Sequence, residues 1–311
     1  MENNVLKDAK KLFSKLGMRL FIGTIINTVA QFGALAVFGA MTQAIPSLAE
    51  SAEAAFIATM LPVYVIGLPA TIFMIKRIPV QEQPVEKKKM SAVQILIAIC
   101  MSYFLTILGN VFGLAMTTVI GFLKNGEVGN VLATATAGVN PIVLFIFVGV
   151  CAPIFEELLF RKFFMDRIAQ YGEGVAIVMS GALFALFHGN LNQFVYAFLL
   201  GCFFGFVYMK TRNVVYPILM HAGVNVVGTV ISTVYLQYSD VAVIDIGFSV
   251  LVFGMLIVGL ISWIRSVKKF KLQPAEVAIE KGKKFSTCML NVGMILFCAI
   301  WILTMIVQLL A

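Results

Sequence analysis

Cys151-Ala152-Pro153-Ile154-Phe155-Glu156-Glu157-Leu158-Leu159-Phe160-Arg161-Lys162-Phe163-Phe164-Met165-Asp166 is the stretch whose reading decides this fold. An apolar run that begins near Val139 leads straight into two adjacent glutamates, and Arg161 follows the second by four residues. A charged side chain inside an apolar membrane segment costs at least about 2.5–3.5 kcal/mol on insertion scales, so such residues are rare there and usually functional. The rest of the chain is the frame that tolerates this cluster.

The composition agrees with a membrane frame. The chain has 311 residues, 60% of them hydrophobic and only 12% charged. Its mean hydropathy is +0.97. A soluble domain carries about 25% charged residues. Apolar stretches of about 20 residues, the length a helical crossing needs, recur along the whole sequence. The pattern predicts an all-α, polytopic transmembrane bundle of 8–9 spans, roughly 18–45, 54–75, 91–123, 138–170, 174–188, 193–209, 214–236, 242–264 and 286–310. The fifth and sixth are short and could be a broken or partly sunk pair around Gly189–Asn192. Before the first span, residues 1–17 place Val5, Leu6, Ala9, Leu12, Phe13 and Leu16 on one helical face with Lys7, Lys10, Lys11 and Lys15 between them. That pattern fits an N-terminal amphipathic helix in the membrane interface, and equally an extension of the first span. The domain reading is 1–17 amphipathic helix, 18–137 N-terminal spans, 138–236 core, and 237–311 C-terminal spans with a basic loop.

The net charge of +8 invites a nucleic-acid reading, which its distribution excludes. With the N-terminus in the cytoplasm, Lys and Arg gather in the cytoplasmic loops, at 7–19, 76–89, 161–167, 210–212 and 265–284, and only Lys124 is left outside. The outer loops carry Glu50, Glu53, Glu127 and Asp240. This is the positive-inside pattern, so the basic charge is a topology signal. The loop with Pro79, Pro84 and Lys87–Lys89, and the loop at Arg265–Phe285, read as solvated segments near anionic headgroups. The five cysteines all lie in apolar segments without a Cys-x-x-Cys pair and read as small apolar side chains.

Polar groups inside the spans carry the functional signal. Glu156 lies about fifteen residues before the turn at Tyr171–Gly174, and His188 about as far after it. In an antiparallel hairpin rising about 1.5 Å per residue, the two reach the same depth. His221 and Asn225 follow the next basic turn and, four apart, share a helix face. Glu156, His188, His221 and Asn225 can therefore converge in the bundle. Glu157 and Arg161 form an i,i+4 pair in the favourable order, which fixes the helix and leaves Glu156 without a partner nearby in sequence. Each polar residue also has a purely structural reading, Asn225 as a helix bridge above all. A carboxylate, two imidazoles and an amide in a dry pocket suit hydrolysis by an activated water. The carboxylate moves the proton, a histidine shares the water or ligates a metal, and amide and imidazole N–H groups hold the oxyanion. No Ser-His-Asp, Cys-His or His-Glu-x-x-His arrangement competes.

Glu156-Glu157-Leu158-Leu159-Phe160-Arg161 resembles the Glu-Glu-x-x-x-Arg motif of the CAAX protease and bacteriocin-processing (CPBP, or Abi) family. Phe184-Ala185-Leu186-Phe187-His188 resembles its Phe-x-x-x-His motif, and His221-Ala222-Gly223-Val224-Asn225 its His-x-x-x-Asn motif, in the family's order across 138–236. The resemblance implies an intramembrane glutamic or metallo-endopeptidase, similar to the eukaryotic CAAX prenyl endopeptidase. By motif position, Glu156 would activate water, His188 would share it, His221 and Asn225 would hold the oxyanion, and Glu157 with Arg161 would support them. Members are often called metalloproteases; where a metal is bound, Zn2+ on Glu156, His188 and His221 is the ligand set this implies. The implied partners are the lipid bilayer and a membrane-associated peptide or protein, prenylated CAAX-type tails included, and no nucleic acid. The implied setting is a bacterial plasma membrane. Two other readings stand beside this one. One is a non-catalytic scaffold or bacteriocin-immunity protein on the same fold. The other is an ion-coupled transporter, which expects a second, related half that the sequence lacks.

Overall fold

The computed structural model describes residues 2–81 and 87–310; Pro84 lies outside the described residues. Among them there is no strand, and eight helices are long and apolar enough to cross a membrane. In chain order these are α1 (Glu2–Ala44), α2 (Ala52–Lys76), α3 (Ala92–Leu123), α4 (Pro141–Tyr171), α6 (Leu191–Thr211), α7 (Val215–Gln237), α8 (Ala242–Lys269) and α9 (Val292–Leu310). A shorter apolar helix, α5 (Glu173–Phe187), lies between α4 and α6. The all-α polytopic bundle is thus the observed fold. Of the two short segments, the sixth has crossing length and the fifth does not.

Residues 2–17 run without a break into the first span, so the amphipathic stretch and that span are one helix of 43 residues. The apolar stripe Ala9, Phe13, Leu16 and Leu20 is buried against protein. Phe13 packs on Tyr171 at the end of α4, with ring centroids 5.6 Å apart.

Lipid tails are as apolar as leucine, so close packing and interhelical polar contacts hold such a bundle together. Small residues allow the closest approaches. A Cβ on Gly201 of α6 would stand 2.8 Å from the Cα of Gly181 on α5, so these two backbones touch. α6 is the most deeply buried of the eight spans and α8 the least buried.

One end of the bundle is cross-braced by charge. The Tyr208 hydroxyl donates to Asp166 Oδ1 at 2.6 Å, and Arg167 Nη2 donates to the Lys76 carbonyl at 2.8 Å. Lys210 pairs with Glu173. The segment after α8 is not a freely solvated loop. Its Gln273 N–H donates to Glu173 Oε2 at 2.7 Å, and the N–H groups of Glu276 and Val277 both donate to the Gln170 carbonyl at 3.0 Å. Ile279 anchors it in the core at 4% exposure. This segment is a strap across the α4–α5 turn.

Candidate active site

The α4–α5 hairpin sets the depth of the acidic residues. Phe160 packs on Phe184 and Phe187, with centroids 5.5 and 5.6 Å apart, and the Ser180 hydroxyl donates to the Phe160 carbonyl at 3.2 Å. In this antiparallel register, four residues back along α4 match four residues forward along α5. Glu156 therefore stands level with His188, as the spacing predicts.

α4 is not α-helical throughout. Phe145–Cys151 and Leu158–Met165 are π-helical, as is Val226–Ile231 just after Asn225 on α7. Wide i→i+5 turns re-aim the side chains that follow them and are frequent at functional sites. The two glutamates occupy the α-helical turn between two such stretches, with Pro153 at its start.

Glu157 is the hub. Its Oε2 lies 2.9 Å from Arg161 Nε, and its Oε1 accepts from His221 Nδ1 at 3.0 Å. Glu157 and Arg161 are both fully buried. The Arg161 contact is close but poorly aligned for a hydrogen bond. Two rings compensate: the guanidinium carbon lies 4.6 Å from the Phe184 centroid and 5.7 Å from that of Phe204. A guanidinium over aromatic faces is stabilised by the ring quadrupoles, more strongly when desolvated. Phe204 also stacks on His221 at 5.5 Å, and Phe184 meets His188 and His221 edge-on at 4.8 and 5.8 Å. The site is thus a carboxylate–guanidinium–imidazole cluster walled by two phenylalanines.

Glu156 is held differently. Among the described residues it has no ion pair at hydrogen-bond distance, and the nearest basic group is His221 Nε2, 3.9 Å from Oε2. Its Oε2 is buried without a hydrogen-bond partner among the described residues. Tyr64 of α2 and Tyr196 of α6 lie within electrostatic reach of this carboxylate. The sequence reading missed both, because a lone tyrosine in an apolar span carries no spacing signal.

The imidazoles are oriented by their outer nitrogens. The hydrogen bond from His188 Nδ1 to the Phe184 carbonyl, 2.8 Å, leaves Nε2 as the acceptor of a neutral ring. Just beyond, Gly189 turns the chain at φ 64, where a Cβ would meet the Trp301 ring at 2.9 Å. Asn190 then caps α6 through the Gln193 N–H at 2.9 Å, and Gln193 Nε2 reaches the Tyr196 hydroxyl. His221, with Nδ1 on Glu157, presents Nε2 towards Glu156. Asn225 donates one amide N–H to the Val148 carbonyl at 2.9 Å in the π-helical stretch of α4. One further N–H remains for a ligand. The structure thus joins Glu157, Arg161 and His221 directly, with Glu156 beside them. His188 reaches the group through the Phe184 ring, and Asn225 braces α7 to α4.

For Zn2+ the fit is poor. Among the described residues no three His, Cys, Asp or Glu side chains stand close enough together to hold a metal ion. Glu156, His188 and His221 do not form an assembled cage here.

Residues 138–227 match the family model described as Type II CAAX prenyl endopeptidase Rce1-like. The match contains all three motifs and spans rather less than a third of the chain. It supports the resemblance to CAAX-type intramembrane proteases at the level of the family. No curated protein and no solved structure matches the chain.

Proposed function

We propose that this chain is an intramembrane endopeptidase that hydrolyses a peptide bond in a membrane-associated peptide or protein, with prenylated CAAX-type tails as the first substrate class to test. One observation carries the reading. Two adjacent glutamates have opposite environments, Glu157 consumed by Arg161 and His221, and Glu156 without a close partner, 3.9 Å from the His221 imidazole.

The chemistry follows from these roles. The Glu156 carboxylate takes a proton from a water whose oxygen attacks the scissile carbonyl carbon. His188 Nε2 accepts a hydrogen bond from the same water and orients it. The new C–O bond pushes the carbonyl π electrons onto oxygen. His221, held by its Nδ1 on Glu157, and the remaining amide N–H of Asn225 stabilise that oxyanion. Collapse of the intermediate breaks the C–N bond, and Glu156 returns its proton to the departing amine. Glu157 does for His221 what a buried carboxylate does in other hydrolytic sites: it orients the ring. A basic cytoplasmic end, with the N-terminus inside a bacterial plasma membrane, is the proposed orientation.

The test is cleavage of a farnesylated CAAX-type peptide, beside an unprenylated membrane-peptide panel, by purified protein in detergent with and without chelator. Cleavage of the prenylated peptide that survives the chelator is the expected result. Full loss on chelation would return Glu156, His188 and His221 to the role of metal ligands. Well-folded protein that cleaves nothing in the panel would favour the scaffold reading.

A further inference from the structure

Away from the candidate site, a groove runs between α1 and the start of α9 at the basic end of the bundle. Its α1 wall carries Lys7, Lys10, Lys11 and Lys15. All four are exposed, and none forms an ion pair among the described residues. Asp8 is not part of the lining. The facing wall is the first turn of α9, whose amide end is electropositive. Here the two helices meet, the Gly293 N–H donating to Ser14 Oγ at 3.3 Å, while Asn291 Oδ1 caps α9 by accepting from the Met294 N–H at 3.1 Å.

Below the lysines the groove turns apolar, with Met18, Val292 and Ile295 in its lining. Ile295 begins a stripe, since Ile302 and Ile306 follow it at seven and eleven residues and return to the same helix face. All three are exposed, at 51%, 47% and 46%. From Ile295 to Ile306 is about 16 Å of helix, roughly half of a hydrocarbon core about 30 Å thick. A cationic head region above an apolar track one leaflet deep matches an anionic amphiphile. Inorganic phosphate would use only the upper half.

We infer that this groove binds an anionic phospholipid, with the headgroup phosphate among Lys7, Lys11 and Lys15 and an acyl chain along the α9 stripe. The site does not depend on the proteolytic reading. It gives the amphipathic start of α1 a role the bundle core does not use.

The probe is a phosphatidylglycerol carrying a photoactivatable acyl chain, compared with the matching phosphatidylcholine, each at the same low fraction in phosphatidylcholine nanodiscs holding the full chain. Label is mapped by peptide mass spectrometry. With each lysine in an anionic surface field contributing severalfold, the phosphatidylglycerol probe is expected to label the Val292–Ile306 stretch about tenfold more than the phosphatidylcholine probe. Replacing Lys7, Lys11 and Lys15 by Gln should abolish that preference, while replacing Lys268, Lys269 and Lys271 by Gln should leave it intact. Equal labelling of the unaltered protein by the two probes overturns the inference, and this arm does not depend on a variant folding. A preference that both triple variants reduce alike also overturns it, because it would reflect general charge attraction. So would millimolar inorganic phosphate displacing the label, which would assign the lysines to a free anion.

Discussion

Replacing Glu157 by Ala should destabilise the bundle far more than replacing Glu156 by Gln, although the two residues are adjacent. Glu157 holds two partners, Arg161 Nε at 2.9 Å and His221 Nδ1 at 3.0 Å. Its loss leaves a fully buried guanidinium without its only ion-pair partner among the described residues. Removing one member of a buried pair costs about 3–5 kcal/mol. The His221 donor also loses its acceptor, which adds about 1–3 kcal/mol if nothing replaces it. Even the low end is a large share of the roughly 5–15 kcal/mol that separates folded from unfolded proteins. At about 2–4 °C per kcal/mol, the midpoint should fall by at least ~8 °C. Glu156→Gln removes only a contact of 3.9 Å and keeps the volume, so it should stay within about 1 kcal/mol of the native protein. Thermal unfolding in detergent, followed by fluorescence, reads both. A paired replacement, Glu157→Leu with Arg161→Met, should recover most of the loss, because apolar substitutes for a buried ion pair are often neutral. The reasoning is refuted if Glu157→Ala melts within a degree or two of the native protein, or if Glu156→Gln melts as low as Glu157→Ala.

Other outcomes follow from single contacts. Asn225→Leu should leave the Val148 carbonyl without its side-chain donor, costing about 1 kcal/mol in unfolding experiments and lowering cleavage by more than that loss explains. Gly201→Val should force α5 and α6 apart, because the first added carbon already meets Gly181 Cα at 2.8 Å. The expected cost is about 1–3 kcal/mol by the same unfolding assay. Glu173→Gln should break the ion pair with Lys210 and loosen the hold on the strap's Gln273 N–H. Amide exchange at Gln273, Glu276 and Val277 should then speed up, while amides of α6 around Phe204 stay protected.

Much of this architecture was legible in the residues. The apolar runs located the spans, because a helix that satisfies its own backbone is the simplest way to cross lipid. The equal distance of Glu156 and His188 from one turn located their common depth, since helical rise is fixed. The i,i+4 spacing of Glu157 and Arg161 located their pair. The second partner of Glu157 was not legible, because His221 lies 64 residues away and meets it only through the packing of α7 on α4. Nor were the π-helical turns, which have no residue signature of their own and follow from how the helices pack. Phe204 looked like one more aromatic in a buried span, yet it stacks on His221 and covers Arg161. The strap read as a solvated basic loop because its anchoring contacts are backbone N–H groups on Gln170, and any residue type can make those.

The central claim is that Glu156 moves the proton of the attacking water while Glu157 holds the site together. Its most direct test is the kcat/KM of purified Glu156→Gln on a peptide the native protein cleaves, with equal amounts of folded protein confirmed by their unfolding midpoints. The expected result is a loss of at least about 10²–10⁴-fold, the scale of general-base catalysis, with the midpoint within a few degrees of native. Near-native cleavage by well-folded Glu156→Gln would contradict the assignment.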